Sequence, residues 1–239
     1  MDWLDRVEAG RPAEPLIDLI NRIGLQQNLH ALGLIILEEL RGMRLVEIVK
    51  IAGRRMALPL ALSVAPKLSG TTIKENILGG AERKFQTMFR CFESLGSDIA
   101  LCNFADLSLI GEPLGCKIEI PEDAVPMLVD HPIQSREDLK KLYEADFSKA
   151  IRYAENFATT QMFAQRFTGL KAAVSACPFT MAGLLMGAEE IARKTLKDPQ
   201  LVKDVLEWCV AAIIQDAQTQ IACGADLIFL GDPTAGLLS

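Results

Sequence analysis

Short unbroken apolar runs alternate with longer amphipathic stretches along most of this chain. From Pro15 to Val49 the residues Leu16, Ile17, Leu19, Ile20, Ile23 and Leu25 recur at helical spacing. Leu29, Leu32, Ile35, Ile36 and Leu40 continue that face beyond a break at Gly24. Leu58–Val64 is a short apolar run that predicts a buried strand. Thr72 followed three residues later by Glu75 is a capping box, and the helix it opens runs past Phe85, Met88, Phe89 and Phe92 to a stop at Gly96. Asp98–Phe104 predicts a second strand, followed by the loop Ala105-Asp106-Leu107-Ser108. Gly111 to Pro132 alternates and carries Pro113, Pro121, Pro126 and Pro132, which predicts an irregular excursion or hairpin over the mouth of the fold. Ser135-Arg136-Glu137-Asp138 is another capping signal and opens helices that end near Thr168. Lys171–Ala176 predicts a third strand and Cys177-Pro178-Phe179-Thr180 a turn. Ala188–Leu196 and Pro199–Cys223 read as helices, the second with Asp198 as N-cap and Pro199 at its first position. Ala225–Leu230 predicts a fourth strand.

Regular alternation of strands and helices, with strands that are apolar throughout, implies an α/β fold with a parallel sheet covered on both faces. No Gly-x-Gly-x-x-Gly turn follows the first strand, which weighs against a dinucleotide-binding sheet and favours a (β/α)8 TIM-barrel type. The expected organisation is an N-terminal helical segment over 1–55 and the front part of a (β/α) barrel over 56–239. The sequence holds about four of a barrel's eight strands, so the barrel is expected to be incomplete within it. Two raw sheet edges would follow, and such edges need cover. The expectation is therefore either a fragment with a missing C-terminal partner segment, or a half-barrel that pairs with a copy of itself or another chain.

Composition narrows the choice. The 239 residues carry a net charge of −6, with charges scattered along the chain, which argues against nucleic-acid binding. The six cysteines form no Cys-x-x-Cys pair, sit mostly in apolar runs, and read as buried reduced thiols. The acidic start Met1-Asp2-Trp3-Leu4-Asp5 is unlike a signal peptide, and the apolar run Leu32–Leu37 is far short of the ~20 residues that span a bilayer. The expectation is a cytoplasmic protein without membrane attachment.

Two carboxylates follow apolar strands, where parallel α/β folds place their chemistry. Asp106 follows the second strand and Asp232 the fourth. Both are expected to face one cavity at the strands' C-terminal ends. The plain alternatives are a turn-capping aspartate at Asp106 and an Asx-turn with Pro233 at Asp232. Glu112 either accepts a hydrogen bond from a substrate or ties down the excursion. His131, between Asp130 and Pro132, reads as a surface loop residue, and His30 as packing. Cys177 reads as a small residue filling a tight turn, and Lys67 as a solvated lysine.

Three blocks carry a family resemblance. The first is Gly96-Ser97-Asp98-Ile99-Ala100, then Phe104-Ala105-Asp106 and Gly111-Glu112-Pro113-Leu114-Gly115-Cys116. The second is Cys177-Pro178-Phe179-Thr180-Met181-Ala182. The third is Ala222-Cys223-Gly224-Ala225-Asp226, then Gly231-Asp232-Pro233-Thr234-Ala235. In order and spacing, from about Ala57 onward, they resemble the uroporphyrinogen decarboxylase superfamily, and within it the branch of methylcobalamin:coenzyme M and related corrinoid methyltransferases. The resemblance implies Asp106 and Asp232 as catalytic residues, and Glu112, Phe179 and Thr180 as substrate-binding ones. It also implies methyl transfer between a corrinoid (methylcobalamin) co-substrate and a thiol-type acceptor, with a corrinoid protein or a small-molecule donor and acceptor as partners.

The departures carry information too. The decarboxylases resemble one another in an arginine-rich motif after the first strand, where this chain has Leu62-Ser63-Val64-Ala65-Pro66-Lys67, and a tyrosine after the Pro-Phe-Thr turn is replaced by Gly183-Leu184-Leu185. A decarboxylase-like lyase is therefore the lesser expectation, beside a non-catalytic half-barrel. The methyltransferase branch holds zinc through a His-x-Cys motif and a later cysteine beyond the Asp-Pro block. His30 and His131 are not followed by x-Cys, so zinc is expected of the family but no metal ligand is assigned in this chain.

Overall fold

The computed structural model describes residues 57–60, 63–103 and 106–238, with Glu47 and Lys50 besides. The chain divides into two units, Met1–Ala57 and Leu58–Ser239. Apart from Glu47, the helices expected between Pro15 and Val49, and His30 among them, lie outside the described residues.

Among the described residues three strands form the central sheet: β1 (Ile99–Leu101), β4 (Leu170–Ala176) and β5 (Leu227–Gly231). They pair in parallel in that order, with Ile99 opposite Leu170 and Ala172 opposite Leu227. Three of the four expected strands are thus present, adjacent and parallel. The described residues of the Leu58–Val64 run do not form a strand. Residues 57–60 have no regular structure, and Val64–Leu68 is a short helix, α1. The prolines explain the difference. Pro59 cannot donate to a ladder, whereas Pro66 sits in the first turn of α1, where a missing amide costs nothing.

The capping signals are realised as geometry. Thr72 and Glu75 exchange side-chain to backbone hydrogen bonds at the start of α2 (Ile73–Leu78). The chain breaks at Gly79 and continues as α3 (Gly80–Leu95), which stops at Gly96 with φ 57°. Met127–Leu128 (β3) pairs antiparallel with Ile118–Glu119 (β2), so the proline-bearing excursion is a small hairpin. Ser135 and Asp138 form a capping box before α4 (Leu139–Tyr143), and α5 (Ile151–Arg166) follows. The segment expected as a turn at Cys177–Thr180 instead opens a helix, α6 (Pro178–Met186), with Pro178 in its first turn. Then come α7 (Ala188–Lys197) and α8 (Pro199–Ala222), the latter capped by Asp198, whose side chain accepts from the Leu201 amide. A 3-10 turn over Pro233–Leu238 follows β5.

Apolar clusters hold these elements. Phe85, Phe89 and Phe92 of α3 meet Phe163 and Phe167 at the end of α5, with ring centroids 4.8–6.3 Å apart. Leu185 and Met186 of α6 pack against Ile191, Leu201, Val205 and Cys209, all fully buried. Because the sheet is parallel, the segments after β1, β4 and β5 emerge at one end, and that end carries the candidate site.

Gly224 joins α8 to β5 with φ +104°, and an added Cβ would stand 2.4 Å from the Ala164 Cβ on α5. At Gly96 the φ is also positive, but nothing lies within 4 Å. Gly96→Ala is therefore expected to lower stability by about 1 kcal/mol through backbone strain alone. Gly224→Ala adds overpacking and is expected to cost about 1–3 kcal/mol more. Urea unfolding of the two variants checks the order.

Candidate functional site

After β1 the chain turns on Asp106. Its Oδ1 accepts from the Ser108 amide at 3.0 Å and the Ser108 hydroxyl at 2.6 Å, which closes the 3-10 turn Leu107–Gly111. Its Oδ2 accepts from Arg152 Nη1 at 2.5 Å. Arg152, one residue into α5, also donates from Nε to Glu112 Oε1 at 2.5 Å and from its backbone amide to Glu112 Oε2 at 3.1 Å. All three side chains are largely buried, with Arg152 at 7%, Asp106 at 5% and Glu112 at 18% exposure. One guanidinium thus fastens two carboxylates from the post-β1 segment onto the start of α5. Asp106 does cap a turn and Glu112 does tie the excursion down. Arg152, which makes both possible, stands 46 residues from Asp106 with no local signal in the sequence.

Asp232 is held differently. Its Oδ1 accepts from the Thr180 amide at 2.8 Å and hydroxyl at 2.6 Å, and its Oδ2 from the Phe179 amide at 3.3 Å. The carboxylate after β5 therefore satisfies free amides at the N-terminus of α6. Thr180 accepts in turn from the Thr234 amide at 3.2 Å. Phe179 and Thr180 are buried, Phe179 in the apolar core. Asp232, Phe179 and Thr180 form one group, and Asp106 and Glu112 another.

Among the described residues the two groups do not line one cavity as expected. Asp106 lines a small one of about 30 Å³ with Asn103, Tyr153, Ser175, Met181 and Asp216, and Asp232 is not part of its wall. The α6 amides draw Asp232 away. Asn103 extends the sheet where β1 ends: its Nδ2 donates to the Val174 carbonyl at 2.9 Å and its Oδ1 accepts from the Val174 amide at 2.8 Å. Asp216, on α8, accepts from the Ser175 hydroxyl at 2.7 Å. Burial pushes its carboxyl above the usual carboxylate range, and only the Ser175 hydrogen bond opposes this. Burial also pushes the Tyr153 hydroxyl up, reinforced by the charges of Asp216, Asp106 and Glu112. His131 is exposed, with Nδ1 2.8 Å from the Leu184 carbonyl.

Zinc does not fit the described residues. No three His, Cys, Asp or Glu side chains among them come together as a metal site. Burial pushes the thiols of Cys102 and Cys209 up to about 12 and that of Cys116 to about 11, whereas zinc takes thiolates. No described helix is long and apolar enough to cross a membrane.

A sheet of this kind, with carboxylates set behind its strands, is a recurring scaffold for small-molecule enzymes, and comparison with known proteins gives it a family. The family model for uroporphyrinogen decarboxylase (URO-D) matches residues 79–239, well over half of the chain, so the chain belongs to that family. It is similar to a methylated-thiol--coenzyme M methyltransferase of Methanosarcina mazei, 27% identical over 146 residues. That stretch is 60% of this chain and 39% of the relative, so the chain spans less than half of that protein's length. Among solved structures, a methyltransferase from Methanosarcina mazei matches with a TM-score of 0.57 at 16% identity, covering 72% of this chain and 51% of that one. The fold is that of a URO-D-type α/β barrel protein, and the chain is similar at low identity to these methyltransferases.

The raised Asp216 carboxyl makes a prediction. The folded state holds this proton to higher pH than the unfolded chain, whose aspartates titrate near ~3.9. Its contribution to stability is full below that value and is lost as pH rises through the folded-state pKa. Asp216→Asn can keep the Ser175 hydrogen bond without the charge. The variant is expected to match wild type near pH 3.5 and to become the more stable protein towards pH 8. Denaturant midpoints across that range measure the difference.

Proposed function

We propose that this chain carries the substrate-orienting rim of a methyltransferase that moves a methyl group between a corrinoid and a thiol-type acceptor. The observation that carries the reading is Asp106, buried behind β1 and fixed in one orientation by Arg152 and Ser108, in a URO-D family chain with methyltransferase relatives. A carboxylate fixed on two sides keeps acceptor capacity on both oxygens. It can take a hydrogen bond from an N–H or O–H of a bound substrate without reorganising, and such preorganisation makes an electrostatic contact useful in a reaction. Asp232 serves the same rim by fixing the N-terminus of α6, the helix whose Met181 lines the cavity beside Asp106, while Phe179 and Thr180 act as buried supports of that helix end. When bound, the corrinoid supplies the methyl carbon, and the acceptor supplies the sulfur. The zinc expected of the family has no ligands among the described residues, and no step is assigned to it.

Decarboxylation of a polyanionic substrate has weaker support. Such a substrate needs cationic clamps, and Arg152 is already neutralised by two carboxylates. The test is titration of the full chain with methylcobalamin by difference absorbance, followed by assay of methyl transfer to coenzyme M by mass spectrometry. Saturable methylcobalamin binding is expected in wild type. Asp106→Asn is expected to weaken it about tenfold or more, the range for a lost hydrogen bond to a charged group, with circular dichroism unchanged. Absence of saturable binding, or binding indifferent to Asp106, overturns the proposal.

A further inference from the structure

Between α5 and α8 lies a cavity of about 200 Å³, on the helical layer, which shares Tyr153 and Asp216 with the smaller one that Asp106 lines. Three aromatic rings form one wall. Phe147 and Tyr153 have centroids 6.2 Å apart at 57°, and Tyr153 and Phe157 6.1 Å apart at 33°. The Tyr153–Phe157 spacing puts both rings on one face of α5, a turn apart. Asp216 and Gln215 stand on α8 in the lining of the same cavity. The Asp216 carboxylate has the Ser175 hydroxyl as its hydrogen-bond donor, and among the described residues no lysine or arginine pairs with it.

A withdrawn carboxylate without a cation is costly. An aromatic wall attracts cations through its ring faces. The surrounding charge points the same way, since Asp106 and Glu112 outnumber Arg152 on the other side of Tyr153. An anion would meet a repulsive field here. A bare metal ion would lack ligands, since no three-residue donor cluster exists among the described residues. A primary ammonium would leave donors facing aromatic carbon. The volume lies below the ~300–1,000 Å³ of pockets for drug-sized ligands, so the occupant has few heavy atoms.

We infer that the groove between α5 and α8 is a binding site for a small alkylated ammonium ion, with Phe147, Tyr153 and Phe157 around the cationic head and Asp216 as its counter-charge. The inference rests on this cavity alone and stands or falls separately from methyl transfer.

Choline is a suitable probe, and 3,3-dimethylbutan-1-ol is its neutral isostere. Both are titrated into the full chain by calorimetry at low ionic strength and at pH 8, the end of the range where Asp216 carries its charge. Choline is expected to bind saturably, with the alcohol at least tenfold weaker, because shape and apolar area are the same and only the charge differs. Asp216→Asn and Phe157→Leu are each expected to weaken choline at least fivefold with melting temperatures showing a folded protein. Equal affinity for the two isosteres overturns the inference without any variant. Failure of choline to saturate, or unchanged choline affinity in Asp216→Asn, overturns it as well.

Discussion

The burial of one arginine between two carboxylates is the constraint on which the rim of this protein depends. Arg152 reaches Asp106 with one guanidinium nitrogen and Glu112 with another, and its own amide meets Glu112 again. None of the three charges could be withdrawn from water alone. Together they bind the turn after β1, the start of the hairpin excursion and the first turn of α5 into one unit. The next residue along α5, Tyr153, is placed by the same contact, and it lines both the cavity beside Asp106 and the larger groove between α5 and α8. Ion groups of this kind contribute little net stability, but they penalise every arrangement in which a member is left unpaired. What the triad supplies is a single orientation for Asp106.

A second carboxylate does comparable work by another route. Asp232 leaves β5 and takes amides at the N-terminus of α6, linking the ends of two neighbouring strands through backbone groups. Its charge is balanced by the dipoles of a helix end. The two devices explain why carboxylates that both follow strands are not equivalent. One stands beside a cavity, whereas the other is spent on the scaffold.

The parts of this fold that were legible in the sequence are those written in adjacent residues. The Thr72–Glu75 and Ser135–Asp138 capping boxes, the stop at Gly96 and the Asp198-Pro199 start all depend on contacts within a few positions. β4 and β5 were legible because runs of apolar residues in a parallel sheet read plainly. The Leu58–Val64 run misled, since a short apolar stretch has no period of its own and the prolines at 59 and 66 had to decide. Asp106 and Asp232 could be picked by their position after strands, but not what would hold them. Arg152 gave no sign, because its two partners lie 40 and 46 residues away. Asp216 and Tyr153 were hidden for the same reason. They come together only when α5 and α8 lie on the same sheet.

The central claim is that the rim is held by charge balance within the triad. The most direct measurement compares the stability of Arg152→Met with that of Arg152→Met/Asp106→Asn/Glu112→Gln by urea unfolding. The single variant leaves two buried carboxylates uncompensated and is predicted to lose about 3–5 kcal/mol. The triple variant removes the same arginine but has no charge left to strand, and it is predicted to regain most of that loss. A triple variant as unstable as the single one would contradict the account, because Arg152 would then matter for its packing and not for its charge.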